Sequence, residues 1–215
     1  MPTPPAKVYL HGFASGPGST KAQFFRTRFA ELGVTLDIPD LAPDFTHMTI
    51  GSMLAIVDAI LDRGPAVLLG SSLGGYLATL AAVRRPDRVP ALVLFAPAFG
   101  FVQRWEERVD PAAMARWRAK GTARVYHYGL GREVPLSIEL LDEAGRHPVE
   151  PDPAAPALVF AGRRDESVPL PVVEHFTRGR PGRELVVFDT GHELNDVLEP
   201  MWERMASFLR GLGAL

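Results

Sequence analysis

Short, mainly apolar runs alternate along this chain with longer stretches whose apolar residues recur every three or four positions. The runs at 7–10, 34–38, 66–69, 91–95, 157–161 and 185–188 predict six strands, although Lys7, Thr35 and Asp37 interrupt the first two. Continuous apolar runs of this kind fit strands buried on both faces. The intervening stretches predict helices. One begins after Ser19 or Thr20 with Phe25, Phe29 and Leu32 at i, i+4 and i+7, and stops at Gly33. A second covers 48–63, with Met53, Ile56, Val57 and Ile60 on one face. A third covers 73–84 and is apolar nearly all round, as a heavily buried helix would be. Two more are expected at 170–177 and 196–212. Strand and helix in alternation predict an α/β chain with a mostly parallel six-stranded sheet and helices on both faces.

The alternation breaks between residues 97 and 156. Asp110-Pro111 opens a short helix that Gly121 closes, 124–128 fits no single pattern, and 135–144 reads as helical before Gly145. This stretch is expected to be a small helical, lid-like insertion within one domain spanning 1–215, with the proline-rich 148–156 leading back to the core. It holds Phe99, Phe101, Trp105, Trp117, Tyr126 and Tyr128. Two readings stand for these aromatics: ordinary packing of a helical excursion, or a lid lining an acyl pocket.

Composition narrows the classes. A chain of 215 residues with 47 % apolar and 22 % charged residues can bury one sizeable core. A formal charge of −2 gives no footprint for nucleic acid. No apolar run is long enough to span a membrane. The start, Met1-Pro2-Thr3-Pro4-Pro5-Ala6, lacks the basic and apolar segments of a secretory signal, so a cytoplasmic location is expected by default. With no cysteine, disulfides, thiolate catalysis and thiolate metal sites are all excluded. No oligomeric state can be read.

The chemistry centres on Gly70-Ser71-Ser72-Leu73-Gly74, a G-x-S-x-G pentapeptide between a predicted strand and a predicted helix. That context is what a nucleophile elbow requires: a serine on a sharp turn, with Gly70 and Gly74 lacking the Cβ that would keep strand and helix apart. An elbow serine needs a base, and the base needs an orienting acid. Of six histidines, His192 sits in a short loop after the last strand, and Asp165 occupies the equivalent loop one strand earlier. Glu166, Asp189 and Asp196 are alternative acids. His127, His147 and His175 are expected to be partly exposed and structural, His47 to be a loop residue, and His11 to hold its loop by hydrogen bonds. The backbone N–H groups of Leu73 and Phe13 are the expected oxyanion donors.

Tyr9-Leu10-His11-Gly12-Phe13, Ser15-Gly16-Pro17, Ser19-Thr20-Lys21-Ala22 and Gly70-Ser71-Ser72-Leu73-Gly74-Gly75-Tyr76 together resemble the small bacterial esterases of the YqiA/YcfP type within the α/β-hydrolases. Residues 162–169 and Thr190-Gly191-His192 look like that superfamily's acid and histidine loops. The resemblance implies a Ser72, Asp165, His192 triad working without a cofactor or metal on short-chain acyl esters. It also implies a hydrolase sheet lacking its first antiparallel strands. The insertion is longer than in the simplest members, so pocket size does not carry over.

The expectation is a serine hydrolase acting on a small-molecule carboxylic ester of short to medium acyl chain. A thioesterase, a peptidase or a cofactor-free perhydrolase would use the same machinery. A non-catalytic ligand-binding homologue would keep the fold but would have no need of a strained serine.

Overall fold

The apolar runs do assemble side by side. A computed structural model describes residues 4–215, so Met1, Pro2 and Thr3 of the amino-terminal reading lie outside the described residues. The strands are β1 (Ala6–Leu10), β2 (Leu36–Asp37), β3 (Ala66–Ser71), β4 (Leu92–Phe95), β5 (Thr122–His127), β6 (Arg132–Ser137), β7 (Ala157–Gly162) and β8 (Arg183–Phe188). Six of them form one sheet in the order β2-β1-β3-β4-β7-β8, and every pairing in it is parallel. A parallel sheet brings all its carboxyl-terminal strand ends to one edge, where the following loops gather. Registers Leu10↔Gly70, Ser71↔Phe95 and Gly162↔Phe188 place the loops bearing His11, Ser72 and Asp165 along that edge.

The helices are α1 (Thr20–Ala30), α2 (Ile50–Leu61), α3 (Leu73–Arg84), α4 (Phe101–Arg108), α5 (Pro111–Lys120), α6 (Glu139–Ala144), α7 (Leu170–Thr177) and α8 (Leu198–Gly211). Strand residues alternate between two cores, as the period-two geometry of a strand requires. Val8, Leu10, Leu68, Leu92, Leu94 and Val159 face α2, α3 and α7; Tyr9, Leu69, Val93, Phe95 and Phe160 face α1 and α8. On the second face Phe25, Phe95 and Phe160 form a continuous stack, with ring centroids 5.0 and 5.5 Å apart. Among the described residues, no helix is long and apolar enough to cross a membrane.

Helix ends follow their capping chemistry. Thr49 and Ser52 form a reciprocal capping box at the start of α2. Asp110 caps α5 through the Ala113 N–H, and Gly121 closes it at φ +74°.

The insertion differs most from expectation. Residues 124–128 are not a loose segment, and 135–137 are not helical. They belong to an antiparallel hairpin, β5–β6, which pairs Thr122 with Ser137 and His127 with Arg132. Helix α6 begins only at Glu139. Pro135 sits within β6, where an outer strand tolerates the missing N–H. The reading of Leu32 as part of the α1 core face also fails: α1 ends at Ala30 and Leu32 is exposed. Strand β2 shrinks to two residues.

Truncating the aromatic stack should unfold the chain more readily. Phe95→Ala is expected to lower unfolding free energy by about 3–5 kcal/mol through the lost transfer energy and the cavity left behind. Tyr128→Ala, on a residue 76 % exposed, should change it by less than about 0.5 kcal/mol. Equilibrium urea denaturation of the two variants checks this.

Candidate active site

Ser72 lies on the turn from β3 into α3 with φ +52° and ψ −115°, outside the regions that side chains favour. The turn is held from several sides. Its N–H donates to the Phe95 carbonyl at 2.9 Å, and its carbonyl accepts from Gly75, Tyr76 and Ala98 N–H groups at 2.9, 3.1 and 3.0 Å. A Cβ on Gly74 would fall well inside contact distance of the Leu10 and His11 carbonyls, and one on Gly70 would strike Gly74 and Gly75. Glycine is therefore required at both positions of the pentapeptide.

His192 presents both ring nitrogens to partners. Its Nε2 lies 3.0 Å from Ser72 Oγ, and its Nδ1 lies 2.8 Å from Asp165 Oδ2. The Asp165 side chain is 1 % exposed, against 22 % for the histidine. Its second oxygen, Oδ1, accepts the Ser167 and Val168 N–H groups at 2.7 and 2.8 Å. The acid loop is stitched to the histidine loop, with Arg163 N–H donating to the Phe188 carbonyl and Arg164 N–H to that of Thr190. The arrangement is an unbroken Ser72–His192–Asp165 line of hydrogen bonds. Its acid is buried and fully partnered, and its hydroxyl lies at the accessible end.

The alternative acids fall elsewhere. Glu166 is exposed, Asp189 pairs with Arg164 at 3.0 Å in solvent, and Asp196 accepts the Thr190 hydroxyl. Three of the other histidines pair with carboxylates: His47 with Asp44, His147 with Glu143 and His175 with Glu150. His127 differs from expectation in being buried, its ring edge-on to Phe45 and its Nδ1 accepting the Leu130 N–H. His11 is 4 % exposed and its Nε2 accepts the Leu41 N–H at 3.0 Å, so that nitrogen carries no proton. Its ring thereby anchors the loop after β2 to the loop that carries Phe13.

That loop passes directly over the elbow: a Cβ built on Gly12 would lie 3.4 Å from the Ser72 Cβ. The Phe13 N–H is one residue further on. The Leu73 N–H opens α3, where no intrahelical acceptor exists for it. All four described non-glycine residues with positive φ lie in loops at this sheet edge: Ala14, Ser72, Ala96 and Leu194. Strain confined to one edge is characteristic of a functional site.

The aromatic candidates divide. Trp105 stands edge-on to Phe13 at 5.0 Å, with Phe45 at 5.6 Å on the other side of Phe13, and Phe101 packs between Trp105 and Tyr76. Phe99, Trp117 and Tyr126 do not serve as pocket lining. Phe99 is buried against Phe176 at 4.6 Å. Trp117 is buried with its indole N–H on the Leu136 carbonyl. Tyr126 points into solvent from β5, beside Tyr128.

Lys21 was noted in the sequence only within Ser19-Thr20-Lys21-Ala22, with no role of its own. It is 6 % exposed, and its Nζ donates to Ser71 Oγ at 3.2 Å. The signal was present, because Lys21, Phe25 and Phe29 fall at i, i+4 and i+8 on the buried face of α1.

Residues 6–210 match the model of an uncharacterised protein family, UPF0227. The chain belongs to that family. A mouse relative, the mitochondrial palmitoyl-protein thioesterase ABHD10, is 28 % identical over 183 residues, 77 % of this chain and 60 % of its own length. The chain therefore spans about 60 % of that relative. The solved structure of mouse alpha/beta hydrolase domain-containing protein 10 superposes with a TM-score of 0.79 at 22 % identity, covering 99 % of this chain and 92 % of the other. Est1E from Butyrivibrio proteoclasticus, solved with ferulic acid bound, superposes at 0.77 with 20 % identity, covering 96 % and 90 %. The fold is that of the α/β-hydrolases.

Burial pushes the His11 imidazole below its ordinary 6.5. The unfolded chain then binds the proton more readily, so this group's contribution is full above about pH 6.5 and is lost as pH falls below it. The loss should approach about 1.4 kcal/mol per pH unit for one such site until the folded value is passed. Unfolding free energies between pH 7 and pH 5 check this, with His11→Gln flattening the slope.

Proposed function

We propose that this protein is a serine hydrolase that cleaves carboxylic esters of short- to medium-chain acyl groups through an acyl-enzyme. The observation that carries the reading is the Ser72–His192–Asp165 hydrogen-bond line ending at a hydroxyl on a strained turn.

The chemistry follows from the geometry. His192 Nε2 takes the Ser72 proton as Oγ attacks the ester carbonyl, and Asp165 stabilises the imidazolium through Nδ1–H. The negative charge on the tetrahedral intermediate is received by the Leu73 and Phe13 N–H groups. The imidazolium gives its proton to the leaving alcohol, the C–O bond breaks, and the acyl group stays on Ser72. Water activated by the same imidazole then attacks the acyl carbon and releases the acid. Every atom and proton is accounted for by these three side chains, substrate and water. Phe13, Phe45 and Trp105 form the apolar wall proposed for the acyl chain.

A thioester is the second substrate class, favoured by the mouse relative whose name is that of a palmitoyl-protein thioesterase. A thiolate leaves more readily than an alkoxide, so the same relay would serve.

Hydrolysis of p-nitrophenyl butyrate is the test. Ser72→Ala should abolish turnover above background and prevent single-site labelling by a fluorophosphonate. Asp165→Asn should lower kcat by roughly 10³–10⁴ while the chain stays folded. A wild type that neither hydrolyses nor labels would favour the non-catalytic binding reading.

A further inference from the structure

One buried charge at this sheet edge takes no part in the proton relay. Lys21 projects from α1 onto the ends of β3 and β4, with its Nζ 3.2 Å from Ser71 Oγ and 5.7 Å from the centre of the Phe95 ring. Ser71 and Phe95 are partners in the β3–β4 register, so the ammonium lies against the face of the sheet opposite α3, behind the elbow. Its charge is felt by Glu193 and Asp165, which reach it through space. The Tyr9 phenol is buried on the neighbouring strand β1, where burial raises its pKa.

Packing does not explain a cation here. Taking an ammonium out of water is costly unless it is closely paired, and among the described residues Lys21 makes no contact ion pair. A methionine would fill the same stem volume between α1 and the sheet. The contact it makes is specific: Ser71 immediately precedes the candidate nucleophile Ser72.

We propose that Lys21 is a positioning residue of this active site, an ammonium that holds the residue before the nucleophile from behind the sheet. The proposal rests on the reading of Ser72 and His192 as nucleophile and base. The hydrogen bond to Ser71 stiffens the last residue of β3 where the chain enters the strained Ser72 conformation. The distance between Ser72 Oγ and His192 Nε2 is thus governed from behind the sheet by a group that touches neither.

Steady-state kinetics on p-nitrophenyl butyrate, fluorophosphonate labelling rate and thermal midpoint are measured for wild type, Lys21→Met, Lys21→Arg and Glu193→Gln. Lys21→Met should lower kcat and labelling rate by about 10- to 100-fold with KM nearly unchanged, as expected for a group acting through another. Lys21→Arg should recover part of the loss. Burial lowers Lys21 to about 8, while Glu193 and Asp165 oppose that shift. Wild-type kcat should therefore fall as pH rises through about 8, and Lys21→Met should lack that limb. Glu193→Gln removes a stabilising anion, so its limb should move to lower pH. This last result needs no Lys21 variant to fold. Equal kcat and identical pH profiles in the variants overturn the proposal, as does a loss of activity that follows the thermal midpoint alone. A wild type that neither turns over nor labels would instead overturn the serine-hydrolase reading, and this role with it. A wild type that labels normally while the variants match it overturns the role alone.

Discussion

The structure depends on one strained peptide segment, the passage of the chain through Ser72 at φ +52°. A side chain held in that region costs on the order of 1–3 kcal/mol and persists only where its surroundings over-determine it. Here they do. The Ser72 N–H is bound by β4, and its carbonyl is bound by the first turn of α3 and by Ala98. Gly70 and Gly74 leave out atoms that would push strand and helix apart, so β1, β3 and α3 approach backbone to backbone. The geometry that makes the turn strained also lifts the hydroxyl clear of the sheet and aims the open end of α3 beside it.

The parallel sheet supplies the rest of the site. Since its strands all run one way, the loops after β1, β3, β7 and β8 meet at one edge even though their residues lie up to 181 positions apart, from His11 to His192. Each loop is fixed by its own local bonds. His11 ties down the loop after β2, Asp165 folds its loop onto its own carboxylate, and the histidine loop is laced to the acid loop through backbone bonds. A proton relay would need its groups held to within about 0.5 Å. The Ser72–His192–Asp165 line rests on strand ends and short anchored turns.

The sheet was legible in the sequence because a buried parallel strand must be apolar on both faces, and such runs stand out. The residues of the hydrogen-bonded line stood out for a related reason: Ser72, Asp165 and His192 each lie three or four residues past the end of an apolar run, at a strand's carboxyl end. The hairpin was not. Its strands alternate exposed and covered residues, carry Arg124, Arg132 and Glu133, and include Pro135, so no local signal separates them from loop or helix; only pairing across the turn defines them. The aromatic residues of the insertion were equally ambiguous, because Trp105 and Trp117 have the same composition signal and differ only in what they meet. Lys21 was assigned no role because lysine is ordinarily a surface residue, although its spacing from Phe25 and Phe29 placed it on the buried face.

The central claim is that Ser72 carries the acyl group during turnover. It is tested most directly by mixing the protein with p-nitrophenyl butyrate, quenching in acid within the first turnovers, and mapping the modified peptide by mass spectrometry. One butyryl group is expected, on the peptide containing Ser72 and localised to its hydroxyl, appearing with the burst of p-nitrophenol and decaying as substrate is exhausted. Turnover with no acylated peptide, or with the acyl group on any other residue, would contradict it.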